Sequence, residues 1–135
     1  MTREATIQLL NAYYDAFNRG DADAMLACLA DDVVHDINQG GRETGKTAFR
    51  AFLAKMDAAY SEQLKDIAVM ANEDGSRAAA EFIVHGVYKQ ADKDLPAAHG
   101  QTYLLPAGAF FELEGGLIRR ISVYYNLADW LAEVS

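Results

Sequence analysis

The sequence predicts an α+β fold in which helices come first and an antiparallel sheet follows. Apolar residues recur at helical spacing over the first 60 residues and alternate with period two from about residue 63, and glycine-containing turns separate the alternating runs. The 135 residues are 51% hydrophobic and 24% charged, which is typical of a globular chain. We therefore expect one domain over residues 1–135.

Three helices are predicted in the first half of the chain, each from a stripe of apolar residues. Gly20 and Asp21 separate the first two helices, and a short strand from Val33 to Ile37 precedes the third. The stripes are Ile7-Leu10-Tyr14-Phe17, Met25-Leu26-Leu29 and Phe49-Phe52-Leu53-Met56-Tyr60. The regular spacing of the last stripe predicts a helix that continues through Tyr60.

Strands are predicted over 63–72, 76–89, 101–114 and 117–126 in the second half of the chain. Asp74-Gly75 and Gly115-Gly116 predict tight hairpin turns, whereas residues 91–100 include a proline and predict an exposed loop. A short closing helix is expected over 127–134, with Asn126 as its cap.

The predicted strand 101–114 is largely apolar on both of its faces. A sheet with one solvated face would alternate apolar and polar residues. Because three helices cover only one face of a strongly bent sheet, the other face needs a different cover. We expect a homodimer in which two copies of the chain meet through the outer sheet face.

Charge and motif content exclude several classes of partner. A formal net charge of −8 makes nucleic acid and membrane poor partners. The N-terminus shows no secretory signal, no apolar run has the length of a membrane span, and the lone Cys28 fits a reducing compartment, so we expect a cytoplasmic location. Histidine spacing predicts no metal site, and no nucleotide-binding or hydrolase motif indicates a cofactor.

Four stretches spread over nearly the whole chain carry a family resemblance. They are Tyr13-Tyr14…Phe17-Asn18-Arg19-Gly20-Asp21, Leu29-Ala30-Asp31-Asp32-Val33-Val34-His35-Asp36, the segment 41–46, and Phe110-Phe111-Glu112…Gly116-Leu117-Ile118. In this order they resemble the nuclear transport factor 2-like superfamily, which includes ketosteroid isomerases and SnoaL-type polyketide cyclases. The resemblance implies a cone-shaped fold of three N-terminal helices packed on a strongly curved, mostly antiparallel sheet (a cystatin-like roll), with a deep apolar pocket between them.

The resemblance also implies a site made by the first strand and the first helix. Asp36 falls at the position of the general base, and Tyr13 at that of the tyrosine that donates to the substrate oxygen. Gly108 stands where the isomerases have a second acidic donor, so steroid isomerisation by the same residues is not expected. The alternatives are that Asp36 binds backbone in its loop and Tyr13 fills the core. His35 has the opposite parity and is expected to be a packed or interface residue.

A second candidate acid/base pair lies in the predicted strand 76–89. Glu81 and His85 share one face of that strand, and the resemblance turns this face toward the pocket. A buried carboxylate needs a partner, and the imidazole would be tuned by it. The alternative is a structural hydrogen-bonded pair.

Further side chains are candidates for contact with a ligand. Asn38 shares the parity of Asp36, His99 closes the loop before the fourth predicted strand, and Trp130 lies in the C-terminal segment. Structural roles are the alternative for each. The full set is Phe17, Asn38, Leu53, His99, Phe110, Tyr125 and Trp130.

The sequence therefore favours a cofactor-independent enzyme that isomerises, dehydrates or cyclises a small apolar carbonyl or hydroxy compound by proton transfer. The alternative is a non-catalytic module that binds a small ligand or dimerises, which the missing acid at Gly108 favours. A third possibility is an epoxide hydrolase of the limonene type. It would need a second Asp and an Arg inside the cavity, and the candidate arginines are Arg50, Arg119 and Arg120.

Overall fold

The computed structural model describes all 135 residues as four helices and six strands. No helix is both long enough and apolar enough to cross a bilayer. In chain order the elements are α1 (Arg3–Arg19), α2 (Ala22–Ala27), β1 (Leu29–Asp36), β2 (Arg42–Thr44), α3 (Lys46–Ala59), β3 (Tyr60–Ala71), β4 (Arg77–Tyr88), β5 (Gln101–Glu114), β6 (Leu117–Tyr125) and α4 (Leu127–Val134).

The six strands form one sheet in the order β2-β1-β6-β5-β4-β3. Strands β1 and β6 are parallel, and every other neighbouring pair is antiparallel. The register shifts between Lys65 and Ala68 on β3 and between Glu112 and Leu113 on β5, and bulges of this kind bend a sheet. The predicted α+β fold, with helices packed on a curved and mostly antiparallel sheet, is confirmed.

The helices cover one face of the sheet, here called the concave face, and leave the opposite outer face uncovered. Along β4 the concave positions Ala78, Ala80, Phe82 and Val84 are buried, whereas the alternate residues are half-buried or exposed. A core of 25 buried residues lies between the concave face and the helices. Burial of each large apolar side chain contributes about 1.5–3 kcal/mol, so this one face accounts for most of the packing energy.

The hairpin turn predicted at Asp74-Gly75 is confirmed, and it packs against the start of α1. Gly75 has a φ of 76°, and a Cβ there would come within 2.5 Å of the Thr2 carbonyl oxygen. The Thr6 hydroxyl donates a hydrogen bond to the Gly75 carbonyl at 2.6 Å. Both the left-handed backbone and the close approach of the helix therefore require glycine at position 75.

Element boundaries differ from the sequence prediction at the end of α3. The helix ends at Ala59, and Tyr60 opens β3 without a connecting residue. Tyr60 pairs with Tyr88 in the sheet, and their rings stack with centres 5.6 Å apart. The Ala59 carbonyl accepts hydrogen bonds from backbone N–H groups of the loop that follows β4. These long-range contacts override the helical spacing of Tyr60. The short strand β2 was also not predicted.

Candidate active site on the concave face

Glu62 and Tyr103 meet on the concave face although a strand separates them. Glu62 on β3 pairs with Gly86 on β4, and Gly86 pairs in turn with Tyr103 on β5. The Tyr103 hydroxyl donates a hydrogen bond to Oε2 of Glu62. The tyrosine side chain therefore crosses β4 above Gly86, over two strand spacings of about 4.8 Å each.

Aromatic side chains surround this pair. Trp130 of α4 stands edge-on to Tyr103, with ring centres 5.9 Å apart. Trp130 also lies 5.0 Å from Tyr88 and 6.1 Å from Tyr60, and those two tyrosines stack on each other. Edge-to-face and stacked contacts of this kind make a rigid apolar environment that still offers hydroxyl groups.

Burial of the site changes its proton affinities. Desolvation raises the pKa of Glu62 above its ordinary value of 4.5, and the hydrogen bond from Tyr103 only partly opposes that rise. Desolvation also raises the pKa of Tyr125, and the negative charges of Glu62 and Asp92 add to the rise. Glu62 and Tyr125 are half-buried. A partly accessible carboxyl with a raised pKa is suited to proton exchange closer to neutral pH.

The loop over residues 89–100 is fastened to the same aromatic cluster. The Tyr88 hydroxyl donates to the Pro96 carbonyl at 2.6 Å and accepts from the Asp92 N–H at 3.1 Å. The Tyr60 hydroxyl donates to Oδ2 of Asp92 at 3.0 Å. Two tyrosines next to the Glu62–Tyr103 pair thus hold the loop in place beside the site.

A family model described as a SnoaL-like domain matches residues 10–121 of the chain. This match covers well over half of the sequence. The chain belongs to the SnoaL-like domain family. The resemblance predicted from the sequence is thereby confirmed, and the family is compatible with several activities.

Solved structures support the same assignment for this SnoaL-like protein. It is 56% identical to a "putative polyketide cyclase" from Xanthomonas campestris pv. campestris, with 100% of both chains covered and a TM-score of 0.96. It is 59% identical to a protein of the same description from Pseudomonas putida KT2440, with 100% of this chain and 99% of the other covered and a TM-score of 0.95.

The same fold extends to a more distant structure. An "NTF2-like protein" from Burkholderia xenovorans LB400 is 17% identical to the SnoaL-like protein, covers 100% of this chain and 99% of its own, and has a TM-score of 0.78. No curated protein sequence matches the chain.

Asp36 of the SnoaL-like protein lies outside the concave site, so its predicted position is wrong. It points to the outer face, where Arg42 donates two hydrogen bonds to it, at 2.6 and 3.0 Å, and Arg120 lies 3.4 Å away. The hydrogen bond from Arg42 is the main cause that lowers the pKa of Asp36 below its ordinary 3.8. A carboxylate held in its ionised form in this way is poorly suited to act as a base near neutral pH.

Glu81 and His85 also face away from the concave site, contrary to the prediction from the resemblance. Both are exposed on the outer face of β4. The concave positions of this strand belong to even-numbered residues such as Phe82 and Val84, which pack in the core. The alternation of side chains along a strand therefore places Glu81 and His85 on the opposite side.

Tyr13 is part of the core, where the sequence left open whether it would fill the core or donate to a ligand. Its ring meets Tyr14 and Phe111 edge-on, with centres 5.3 and 6.2 Å apart. Burial raises its pKa, and the nearby Cys28 adds to the rise. These rings occupy a part of the cone in which the resemblance implied a deep hollow, so the expected hollow is filled there.

Three of the predicted ligand-contact residues lie at or near the Glu62–Tyr103 pair. Trp130 contacts Tyr103 directly, and Tyr125 lies close enough to Glu62 for its pKa to respond to that charge. Asn38 donates from Nδ2 to the Tyr125 carbonyl at 3.2 Å. Asn38 therefore ties the loop after β1 to the end of β6.

The other four predicted ligand-contact residues lie elsewhere. Phe17 and Leu53 are half-buried at the edge of the core. His99 is exposed in the loop before β5. Phe110 lies on the outer face with its ring against Tyr124, so its predicted place in the pocket is wrong. An even-numbered residue of β5 points away from the helices.

His35 is buried between α3 and the sheet, in agreement with the prediction of a packed histidine. Its ring lies 5.0 Å from Phe49 and 4.6 Å from Phe52. Its Nδ1 atom is buried without a hydrogen-bond partner. Desolvation lowers the pKa of His35 below 6.5, and the charges of Glu43 and Asp36 oppose that change. His35 therefore remains a neutral core residue near pH 7.

The arginines considered for an epoxide hydrolase site are all paired with acids away from the Glu62–Tyr103 pair, with Arg50 and Arg119 exposed and Arg120 half-buried. Arg50 binds Asp23 at 2.9 Å, and Arg120 binds Glu112 at 2.5 Å. Arg119 bridges Glu112 and Glu114 on the outside. A groove of about 350 Å³ lies between α2 and α3, lined by Asp23, Leu26, Ala27, Lys46, Thr47 and Arg50. Its basic groups are paired with acids, and its lining includes neither Glu62 nor Tyr103.

Sequence reasoning missed Glu62 and Tyr103 as a pair. The signal was an acidic residue at Glu62 in step with the apolar Tyr60 and Leu64. This alternation does not stand out in the sequence because Tyr60 also fits the stripe of the preceding helix. In addition, the bulge after Lys65 shifts the inward positions of β3 from even-numbered to odd-numbered residues, so no single alternation runs along the strand.

Proposed function

We propose that this SnoaL-like protein is a cofactor-independent enzyme that transfers protons on a small apolar carbonyl or hydroxy compound. The observation that carries the proposal is the half-buried Glu62 carboxyl, hydrogen-bonded by Tyr103 within an aromatic environment. Two relatives, at 56% and 59% identity, are each described as a "putative polyketide cyclase". Ring closure of a polyketide starts with loss of a proton from carbon beside a carbonyl. A carboxyl with a raised pKa supports that chemistry.

Each group has a separate role in this mechanism. The Glu62 carboxylate removes a proton from the carbon next to the substrate carbonyl, and the C–H electron pair forms an enolate. The Tyr125 hydroxyl, which unlike those of Tyr60 and Tyr103 has no side-chain hydrogen-bond partner, donates to the enolate oxygen. Tyr103 keeps the Glu62 carboxyl in one orientation. Glu62 then returns the proton to the enolate or to the product oxygen.

The surroundings favour an uncharged, flat substrate. Rings of Tyr60, Tyr88 and Trp130 present apolar edges and faces next to Glu62. The net charge of −8 disfavours an anionic substrate.

Exchange of carbon-bound hydrogen in D₂O tests the proposal directly. Small cyclic ketones and β-ketoesters are the probes, and NMR follows loss of the proton beside the carbonyl. We expect Glu62→Gln to lower the exchange rate by about 10²–10⁴-fold, because it removes the acid/base group and keeps the side-chain shape. The matched control is Glu81→Gln, the same change on the outer face. It should leave the exchange rate within about twofold of wild type.

Two outcomes would contradict this assignment. Equal rates for wild type and Glu62→Gln would remove Glu62 from the mechanism. Binding of the probes without exchange by the wild-type protein would favour the non-catalytic module over the enzyme.

We also propose that a second copy of the chain covers the outer face. Large apolar side chains are exposed there, among them Leu104 (57%), Phe110 (49%) and Tyr124 (54%). Phe110 and Tyr124 form one aromatic patch with ring centres 5.6 Å apart. Exposed apolar surface of this extent marks an interaction site.

Sedimentation equilibrium tests the second proposal. We expect a dimer at micromolar concentration, and Phe110→Glu should convert it to a monomer because a charge would be buried at the interface. Gln8→Glu on the exposed side of α1 is the control and should remain dimeric. A monomeric wild-type protein would refute the proposal.

A further inference from the structure

Gly86 lies at the point where Tyr103 crosses β4. A Cβ atom built on Gly86 would stand 2.1 Å from Cζ of Tyr103, 2.3 Å from its Cε2 and 2.5 Å from its hydroxyl oxygen. Contacts this short cannot exist between real side chains. Any residue other than glycine at position 86 would therefore displace the Tyr103 ring.

The backbone at Gly86 does not require glycine. Its φ lies outside the left-handed region in which several other glycines of the chain are found. Glycine in the interior of a strand weakens the sheet because it adds entropy to the unfolded chain and packs nothing. The space that it leaves for Tyr103 is thus the feature that explains its presence.

The Tyr103 ring has little freedom to move and keep its contact with Glu62. Trp130 stands against it edge-on at 5.9 Å, and the ring is buried. A displaced ring would carry the hydroxyl away from the carboxyl, which lies across β4 in the same row of residues. We infer that Gly86 is a positioning residue, which sets the Tyr103 hydroxyl against the Glu62 carboxyl by leaving the space between them empty.

This inference rests on the proposed function, which gives the Glu62–Tyr103 pair its catalytic role, and deepens it. It predicts that Gly86→Ala acts through Tyr103. The Tyr103 hydrogen bond lowers the pKa of Glu62, so its loss should raise that pKa further. Gly86→Ala and Tyr103→Phe should therefore raise it by similar amounts, and the double variant should add no further rise.

The experiment is a ¹³C NMR titration of the side-chain carboxyl of Glu62 in the substrate-free protein. Gly108→Ala is the matched control, since it also introduces a methyl group within a strand but meets its nearest atom, the Ala80 carbonyl oxygen, at 3.4 Å. It should leave the titration of Glu62 unchanged. An unchanged titration in Gly86→Ala, or additive shifts in the double variant, would overturn the inference.

A measurement on the wild-type protein covers the case in which Gly86→Ala fails to fold. The Tyr103 ring protons should show strong nuclear Overhauser effects to the Hα atoms of Gly86, and their absence would equally overturn the inference. In the exchange assay we expect Gly86→Ala to lower the exchange rate roughly 10- to 100-fold, because the Glu62 carboxyl would be misplaced relative to the substrate. The wild-type protein could fail to catalyse exchange while the Glu62 titration still responds to Gly86→Ala and Tyr103→Phe as predicted. That result would reject the proposed function and leave the positioning role of Gly86 standing.

Discussion

The side chain of Asn18 pairs with the backbone of Leu64 as a neighbouring strand would. Its Oδ1 accepts from the Leu64 N–H at 2.8 Å, and its Nδ2 donates to the Leu64 carbonyl at 3.0 Å. The Asn18 carbonyl also accepts from the Gln63 side chain at 2.9 Å. The last turn of α1 is thereby attached to β3 two residues beyond Glu62, and the helix supports the strand that carries the site.

Asn18→Ala should destabilise the protein by about 1–3 kcal/mol, because a partly buried N–H and C=O of Leu64 would lose their partners. Chemical denaturation measures the free energy of unfolding. Asn18→Asp is the comparison, since it keeps the acceptor for the N–H and loses the donor for the carbonyl. If Asn18→Asp has the same free energy of unfolding as wild type, the hydrogen bond from Asn18 Nδ2 to the Leu64 carbonyl contributes nothing to stability.

Glu62→Gln should change the pH dependence of stability. The folded-state pKa of Glu62 is raised above 4.5, so its contribution is complete below pH 4.5 and is lost as pH rises through the folded pKa. Glutamine keeps an acceptor for Tyr103 and does not ionise. We expect equal unfolding free energies for both proteins near pH 4 and a more stable variant at pH 8, measured by urea denaturation. A variant less stable at pH 8 would contradict the burial of the carboxylate.

Asp36→Asn should leave proton exchange on the carbonyl probes unchanged, because Asp36 faces away from the site. Its effect should be confined to stability. The folded-state pKa of Asp36 is lowered, so its bond with Arg42 stabilises the fold above pH 3.8 and is lost as pH falls through the folded pKa. Thermal unfolding at pH 7 should show a small loss, because both groups are partly exposed. A large fall in exchange rate would restore Asp36 as the base.

His35→Phe should make the protein less sensitive to acid. The folded-state pKa of His35 lies below 6.5, so its contribution to stability is complete above pH 6.5 and declines as pH falls below that value. Phenylalanine also removes the unpaired buried Nδ1. Unfolding free energies measured between pH 5 and 8 should therefore vary less in the variant. The control is His99→Gln in the exposed loop, which should behave as wild type.

Much of the fold could be predicted because its elements are encoded locally. The apolar stripes of α1 and α3 and the turn at Asp74-Gly75 follow from short-range spacing. The last residue of α3 could not be predicted in the same way. Tyr60 continues the helical stripe, and its pairing and ring stack with Tyr88, far along the chain, place it in a strand.

The candidate site was harder to predict because it depends on which face of each strand meets the helices. The opposite orientation of His35 and Asp36 was correctly deduced from alternation. The contacts that turn His35 inward come from Phe49 and Phe52 on another element, and alternation alone cannot reveal them. The resemblance pointed to Asp36, but in this chain the neighbouring residue His35 is the one that faces the helices.

Because Ala59 and Tyr60 are adjacent in the chain, the length of α3 determines the direction of the Glu62 side chain. Side chains reverse direction at every residue of a strand, and no flexible linker separates the helix from β3 to absorb a change. One residue inserted at this junction would reverse the side-chain directions in the first part of β3 and turn Glu62 to the outer face. The end of the helix therefore sets which residues of β3 face the helices.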